Sequence, residues 1–137
     1  MSTHVDNLQI DSSHLMLSAV GCEVEVVVQG EKIRALLDTG ASSTCIDRDL
    51  AAALDLPVVG KAGIGGALSH QDVNVYRARI DIPGVDFSGT VDMPAIARPG
   101  RDRMLLGRDI LRGLVFTWNG PAGTVTVQHT ADDSSES

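Results

Sequence analysis

An aspartate directly behind three apolar residues is the first feature of this chain that could do chemistry, in the segment Ala35-Leu36-Leu37-Asp38-Thr39-Gly40-Ala41-Ser42. A carboxylate simply buried after such a run would be costly. It makes sense if a strand ends there and delivers the carboxylate into a cleft, where it can give or take protons. Thr39 offers a hydroxyl to neighbouring backbone, and Gly40 lets another backbone or a substrate come close. An aspartate opening an ordinary turn after a strand would read the same way, and the tripeptide alone leaves both open. A second segment, Met104-Leu105-Leu106-Gly107-Arg108-Asp109-Ile110-Leu111, is an apolar strand, a glycine and a charged helix start. Asp109 reads there as a helix N-terminal charge and not as a second catalytic acid. Between the two lies a glycine-rich stretch, Lys61-Ala62-Gly63-Ile64-Gly65-Gly66-Ala67. It is no phosphate loop, because no Lys-Ser or Lys-Thr follows it. His4, His14, His70 and His129 are scattered without metal-ligand spacing, so no metal is expected. Cys22 or Cys45 as a nucleophile would need a nearby histidine that the sequence does not suggest.

The elements that must position these residues are mostly strands. Strand patterns run over 14–20, 22–28 and 33–37, the last feeding straight into Asp38, with a turn at Gln29-Gly30-Glu31-Lys32. Glu23, Val24, Glu25 and Val26 alternate as a half-buried strand should. Asp47 is an N-cap candidate for a short helix ending near Leu54, with Asp49 in its first turn and Pro57 as a stop. Further strands are expected over 73–82, 87–93 and 104–106, then a short helix over 108–114. A hairpin follows, 115–118 with 124–128, around Asn119-Gly120-Pro121-Ala122-Gly123. Residues 1–13 read as a flexible N-terminal segment, 14–129 as one domain, and 130–137 as a disordered acidic tail.

Composition sets the outer bounds. The chain has 137 residues, the size of one domain. With 43% hydrophobic but 3% aromatic residues, its core must be built from Val, Leu, Ile and Ala. A net charge of −7 argues against nucleic acid or an anionic membrane as partner, and otherwise serves ordinary solubility. Two cysteines are too few for a disulfide scaffold, and both sit among apolar residues, as buried free thiols do. The first residues lack a basic region followed by an apolar one, and no apolar run approaches membrane-spanning length. The expectation is a cytoplasmic protein with no membrane in its function.

The two motifs in this order, with the glycine-rich stretch between them, resemble the retropepsin-like aspartic proteases over roughly residues 24–127. The resemblance implies an all-β fold: a closed, pepsin-lobe-like acid protease barrel with one or two short helices. It implies an aspartic endopeptidase without cofactor, acting on peptides or proteins, in which two Asp38 carboxylates hold one water and share one proton. One such motif per chain implies a homodimer, because a residue near a two-fold axis meets itself. By the same resemblance Thr39 hydrogen-bonds across the dimer beneath the carboxylates and Gly40 contacts the substrate backbone. Ile64 and Gly65, with Gly63, form the tip of a closing flap, and Ala41 and Leu106 line substrate pockets. Plain core packing is the competing reading for Leu106 and Ile64.

Two positions depart from the pattern. Retroviral enzymes usually carry an Asp where this chain has Ser42, and that Asp pairs with an arginine matched here by Arg108. Arg108 must therefore find another partner or hydrogen-bond to backbone carbonyls. Retroviral chains also end with one strand after the helix, whereas a hairpin follows here, closer to the end of a pepsin lobe. The alternative function is a catalytically inactive module that kept the fold for dimerisation or peptide binding. The intact Asp38-Thr39-Gly40 favours the enzyme.

Overall fold

The computed structural model describes residues 4–11, 22–65, 71–98, 100 and 102–131. Strand β2 (Glu23–Val28) buries Val24, Val26 and Val28 and turns Glu25 to solvent. Gln29 and Gly30, both at positive φ (52° and 82°), join it to β3 (Glu31–Leu37) in the tight hairpin that such a dipeptide allows. The chain then forms β4 (Cys45–Asp47), helix α1 (Arg48–Ala53), β5 (Val58–Ile64) and β6 (Gln71–Ile82). A single 3₁₀ turn, Pro83–Val85, leads into β7 (Phe87–Ile96), then β8 (Met104–Leu106) and helix α2 (Arg108–Leu111).

These strands pair in the order β2-β3-β8-β4-β7-β6, and β6 returns to β2 through Val27↔Asp81 and Val28↔Ile80, so six strands close a barrel. The fold is the all-β barrel expected from the sequence, and the one or two short helices expected are, among the described residues, α1 and α2. β5 stands outside the ring, paired to β6 alone among the described strands. The barrel interior is aliphatic: Val26, Val28, Ala35, Ile46, Ile80, Met93, Met104 and Leu106 are all fully enclosed. Such a core follows from alternation, since each strand sends every second side chain inward. β8 is the pivot of the topology. It runs parallel to β3 (Ala35↔Met104, Leu36↔Leu105, Leu37↔Leu106) and antiparallel to β4 (Cys45↔Leu105, Ile46↔Met104).

A second sheet has the order β1-β10-β9, with β1 at His4–Asp11, β9 at Leu114–Asn119 and β10 at Thr124–Ala131. Buried Val125 and Val127 of β10 join its inner face to the main core. The hairpin β9–β10 lies where the sequence puts it. The N-terminal segment corrects the expectation of a loose leader, because β1 pairs over eight residues with β10, from His4↔Ala131 to Asp11↔Thr124. The contact joins the two ends of the chain, and no local pattern reveals so distant a partner. The strand expected over 14–20 lies outside the described residues, as does the tail beyond Ala131. Among the described residues no helix is long and apolar enough to cross a membrane.

Candidate active site

The loop after β3 is fastened from both sides. Leu37 N–H donates to the Cys22 carbonyl (2.9 Å), and Asp38 N–H donates to the Leu106 carbonyl (3.0 Å), continuing the β3–β8 ladder by one rung. Asp38 is thus the first residue past a ladder held on two edges, which fixes where its side chain starts. Ala41 N–H donates to the Asp38 carbonyl (3.1 Å), closing a turn, and Gly40 N–H donates to Asp38 Oδ1 (2.9 Å). This second bond is an aspartate bonding backbone two residues on, the pattern that makes Asp a turn residue, and here it also orients the carboxylate. Asp38 is half-buried, while Thr39 and Gly40 are exposed. In a single chain the carboxylate therefore stands at an open surface.

Helix α2 holds the far side of the loop. Arg108 donates its backbone N–H to the Ala41 carbonyl (2.8 Å) and its Nη1 to the Thr39 carbonyl (2.7 Å). The guanidinium thus finds a backbone carbonyl where a carboxylate at position 42 is lacking. Asp109 does more than favour a helix N-terminus. Its Oδ1 accepts from Thr44 N–H (3.0 Å), from Thr44 Oγ1 (2.7 Å) and from Ile110 N–H (2.9 Å). Thr44, fully buried, in turn accepts from Gly107 N–H at 3.1 Å. Sequence reasoning passed over Thr44, because a lone threonine at a strand start signals nothing until its partner 65 positions away is known.

A second clamp secures the loop between β7 and β8. Asp47, 2% exposed, caps α1 through Leu50 N–H (3.2 Å) as expected. It also accepts from Arg98 N–H (2.7 Å) and Arg103 Nη2 (2.6 Å). Burial would push its pKa up, but Arg103 and the two backbone donors outweigh burial and hold the carboxyl below the usual carboxylate range.

The glycine-rich segment forms the β5–β6 hairpin, whose last pair is Ile64↔Gln71, so residues 66–70 between them lie outside the described residues. Gly63 and Gly65 are exposed, and half-buried Ile64 lines a cavity of about 270 Å3 with Lys61, Val73, Tyr76 and Ile96. Asp38, Thr39, Gly40 and Ala41 share one turn; Gly63, Ile64 and Gly65 belong to a different element. Leu106 bonds Asp38 through its backbone, but its side chain is 0% exposed and packs in the core. The alternation of β8 instead turns half-buried Leu105 away from that core, a distinction the double leucine hides in sequence.

Cysteine chemistry fits poorly. Burial, then the charge of Glu23, pushes the Cys22 thiol up to about 11. Cys45 is raised as well, by burial and by the charges of Asp109 and Asp38, against a weak bond to the Ser43 carbonyl. Both are free thiols. Among the described residues no group of His, Cys, Asp or Glu could hold a metal.

The sequence matches the family described as "gag-polyprotein putative aspartyl protease" over residues 24–113. No curated protein matches it. Among solved structures, a retropepsin-like aspartic protease from Rickettsia conorii is similar over 96% of this chain and 98% of its own, with 18% identity and a TM-score of 0.67. The simian foamy virus protease is similar over 66% of this chain and 92% of its own, with 20% identity and a TM-score of 0.53. At these identities the structures show a common fold. The barrel, the Asp38 turn on the β3–β8 ladder and the family match over two thirds of the sequence lead to one assignment: this chain belongs to the retropepsin-like aspartic proteases.

Proposed function

We propose that the protein is an aspartic endopeptidase whose active form is a homodimer, with Asp38 of each copy supplying one of two catalytic carboxylates. The observation that carries this reading is the Asp38 turn: a carboxylate oriented by Gly40 N–H at the end of a doubly fastened strand, open to the surface of a single chain. One carboxylate cannot both accept and donate a proton at once, and the chain holds one Asp-Thr-Gly. A second copy supplies the other. With one proton shared between them, the ionised Asp38 takes a proton from a water that attacks the scissile carbonyl carbon. The protonated Asp38 donates to the carbonyl oxygen. The resulting tetrahedral diol collapses as a proton passes to the amide nitrogen, the C–N bond breaks, and carboxylic acid and amine leave with the shared proton restored. In this reading Thr39, exposed beside Asp38, hydrogen-bonds with its copy, Gly40 contacts substrate backbone and Ala41 lines a substrate pocket. Gly63, Ile64 and Gly65 serve as the flap.

The test is a peptide-library digest with wild type, Asp38→Asn, and wild type with a pepstatin-type transition-state analogue. Asp38→Asn should keep fold and dimer and lose about 10²–10⁴-fold in rate. Full activity in a folded Asp38→Asn protein would refute the assignment. Wild type mixed with excess Asp38→Asn should lose activity as dead heterodimers form.

A further inference from the structure

The cavity beside Ile64 carries a charge opposite to that of the chain. The whole sequence stands at −7, yet Lys61 of β5 and Arg48 of α1 line this cavity against one carboxylate among the described residues, Asp72 of β6. Its apolar lining comes from Val73, Tyr76, Ala95 and Ile96. A volume of about 270 Å3 suits one side chain, since pockets for whole small molecules begin at about 300 Å3. The cations are held at its rim. Lys61 pairs with Asn74 across the β5–β6 ladder, and its Nζ donates to Asn74 Oδ1 at 2.9 Å. An ammonium carries three donors, so this bond places the charge without exhausting it. Arg48 stands 3.6 Å from Asp49, with both side chains more than half exposed, at 62% and 76%. So exposed a pair contributes little and competes weakly with a carboxylate that meets the guanidinium edge-on.

The strand order sets how far this cavity lies from Asp38. Ala95 and Ile96 of β7 sit beside Ile46 and Asp47 of β4, β4 lies beside β8, and the Leu106 carbonyl of β8 accepts from Asp38 N–H. From β3 to β7 is three strand spacings, about 14 Å at about 4.8 Å each. An extended peptide covers that distance in about four residues. We propose that the cavity is a specificity pocket for an acidic side chain: a Glu or Asp of the substrate, within about four residues of the scissile bond, sets its carboxylate on Lys61 and Arg48 and its methylenes against Val73 and Tyr76. Asp72 lowers the positive charge of the lining and does not reverse it. The inference rests on the endopeptidase reading and gives that site a substrate class, peptides with an acidic residue near the cut.

A randomised peptide library tests it in the full-length chain on two readouts. Cleavage by wild type, read by sequencing the products, should enrich Glu and Asp about fivefold or more over Gln and Asn at one position within four residues of the cut, and deplete Lys and Arg there. Capture on immobilised Asp38→Asn at neutral pH, where carboxylates are ionised, needs no catalysis and should enrich acidic peptides too. A chain at −7 would by bulk attraction collect basic peptides, so acidic enrichment reports the cavity. Lys61→Glu, and separately Arg48→Glu, should shift the preference toward Lys and Arg. Each preference is a ratio between peptides on one protein, so a general loss of activity cancels, and the wild-type arms decide even if a variant misfolds. Cleavage without acidic preference would overturn the proposal and leave the endopeptidase reading standing. A preference unmoved by both Lys61→Glu and Arg48→Glu, or no acidic enrichment on either readout, would overturn it as well. Acidic capture by Asp38→Asn with no cleavage by wild type would leave the pocket standing and sink the endopeptidase reading.

Discussion

Gly107 lies against the backbone of Ser43: a β-carbon on Gly107 would stand 2.4 Å from the Ser43 carbonyl carbon and 2.9 Å from the Ala41 carbonyl oxygen. The end of β8 crosses the loop that follows Asp38 with no room for a side chain. This is why the motif needs glycine there, although its φ of −93° is open to any residue. Gly107→Ala must push the two backbones apart. The expected cost is about 1–3 kcal/mol of stability, seen as a drop of several degrees in Tm. Because the displaced segment carries the Asp38 turn, kcat/KM should fall further than the stability loss alone explains. A Gly107→Ala protein with unchanged Tm would show that the crossing relaxes freely.

Asp109 and Thr44 fasten the same crossing from the side-chain direction. Asp109→Ala leaves the buried Thr44 hydroxyl and N–H without their acceptor and should cost about 1–3 kcal/mol. Asp109→Asn keeps an amide oxygen where Oδ1 now sits and should cost clearly less. Denaturant unfolding of the two variants decides; equal losses would mean that the charge, and not the acceptor, matters.

The Asp47 clamp gives acid stability a defined direction. Its carboxyl is held below the ordinary range in the folded chain, against about 3.9 for an unfolded Asp, so its contribution is complete above about pH 4. It is lost as pH falls through the lower folded value. Asp47→Asn removes the charge that Arg103 and the backbone donors satisfy and should cost about 2–4 kcal/mol at neutral pH. Its stability should then change less than wild type's between pH 4 and pH 2. Parallel pH–stability curves for the two proteins would show that other groups govern acid unfolding.

Activity should peak at mildly acidic pH and fall on both sides, because the shared-proton pair works in its singly protonated form. Thiol chemistry predicts otherwise, a rate climbing into alkaline pH. With both thiols raised above their ordinary value, Cys22→Ser and Cys45→Ser should remain active and thiol alkylation should not inhibit. A steady alkaline rise together with inactive Cys45→Ser would replace the mechanism.

The barrel was legible because its strands alternate and its turns are marked by Gly and Pro: β8 at Met104–Leu106 and the Asp47 cap stand where the residues put them. What stayed hidden are contacts between distant positions. β1 is a strand only because β10 lies beside it, and Thr44 is structural only because Asp109 reaches it. In Leu105-Leu106 the sequence offers two equivalent leucines, and only the phase of the strand, set by Met104 pointing inward, tells which leaves the core. The Arg108 partner shows the same limit, since a backbone carbonyl as acceptor leaves no trace in residue type.

Gly65 separates a working flap from a rigid turn. It sits directly after the last β5–β6 pair at φ +119°, a conformation that strains any L side chain by about 1–3 kcal/mol. Most of β5 is exposed, so the hairpin contributes little to the core, and the strain of Gly65→Val can be relieved by fraying of the hairpin end while the barrel stays intact. Thermal unfolding should therefore shift by only a degree or two. If the hairpin is the proposed flap, catalysis should suffer more, because a frayed hairpin could no longer close over substrate and exclude water from the reacting carbonyl. The expected result is a loss of at least tenfold in kcat/KM with a nearly unchanged Tm, and Gly65→Ala lying between. If kcat/KM and Tm fall in proportion across Gly65→Ala and Gly65→Val, the segment is a structural turn and the flap assignment of Gly63, Ile64 and Gly65 is wrong.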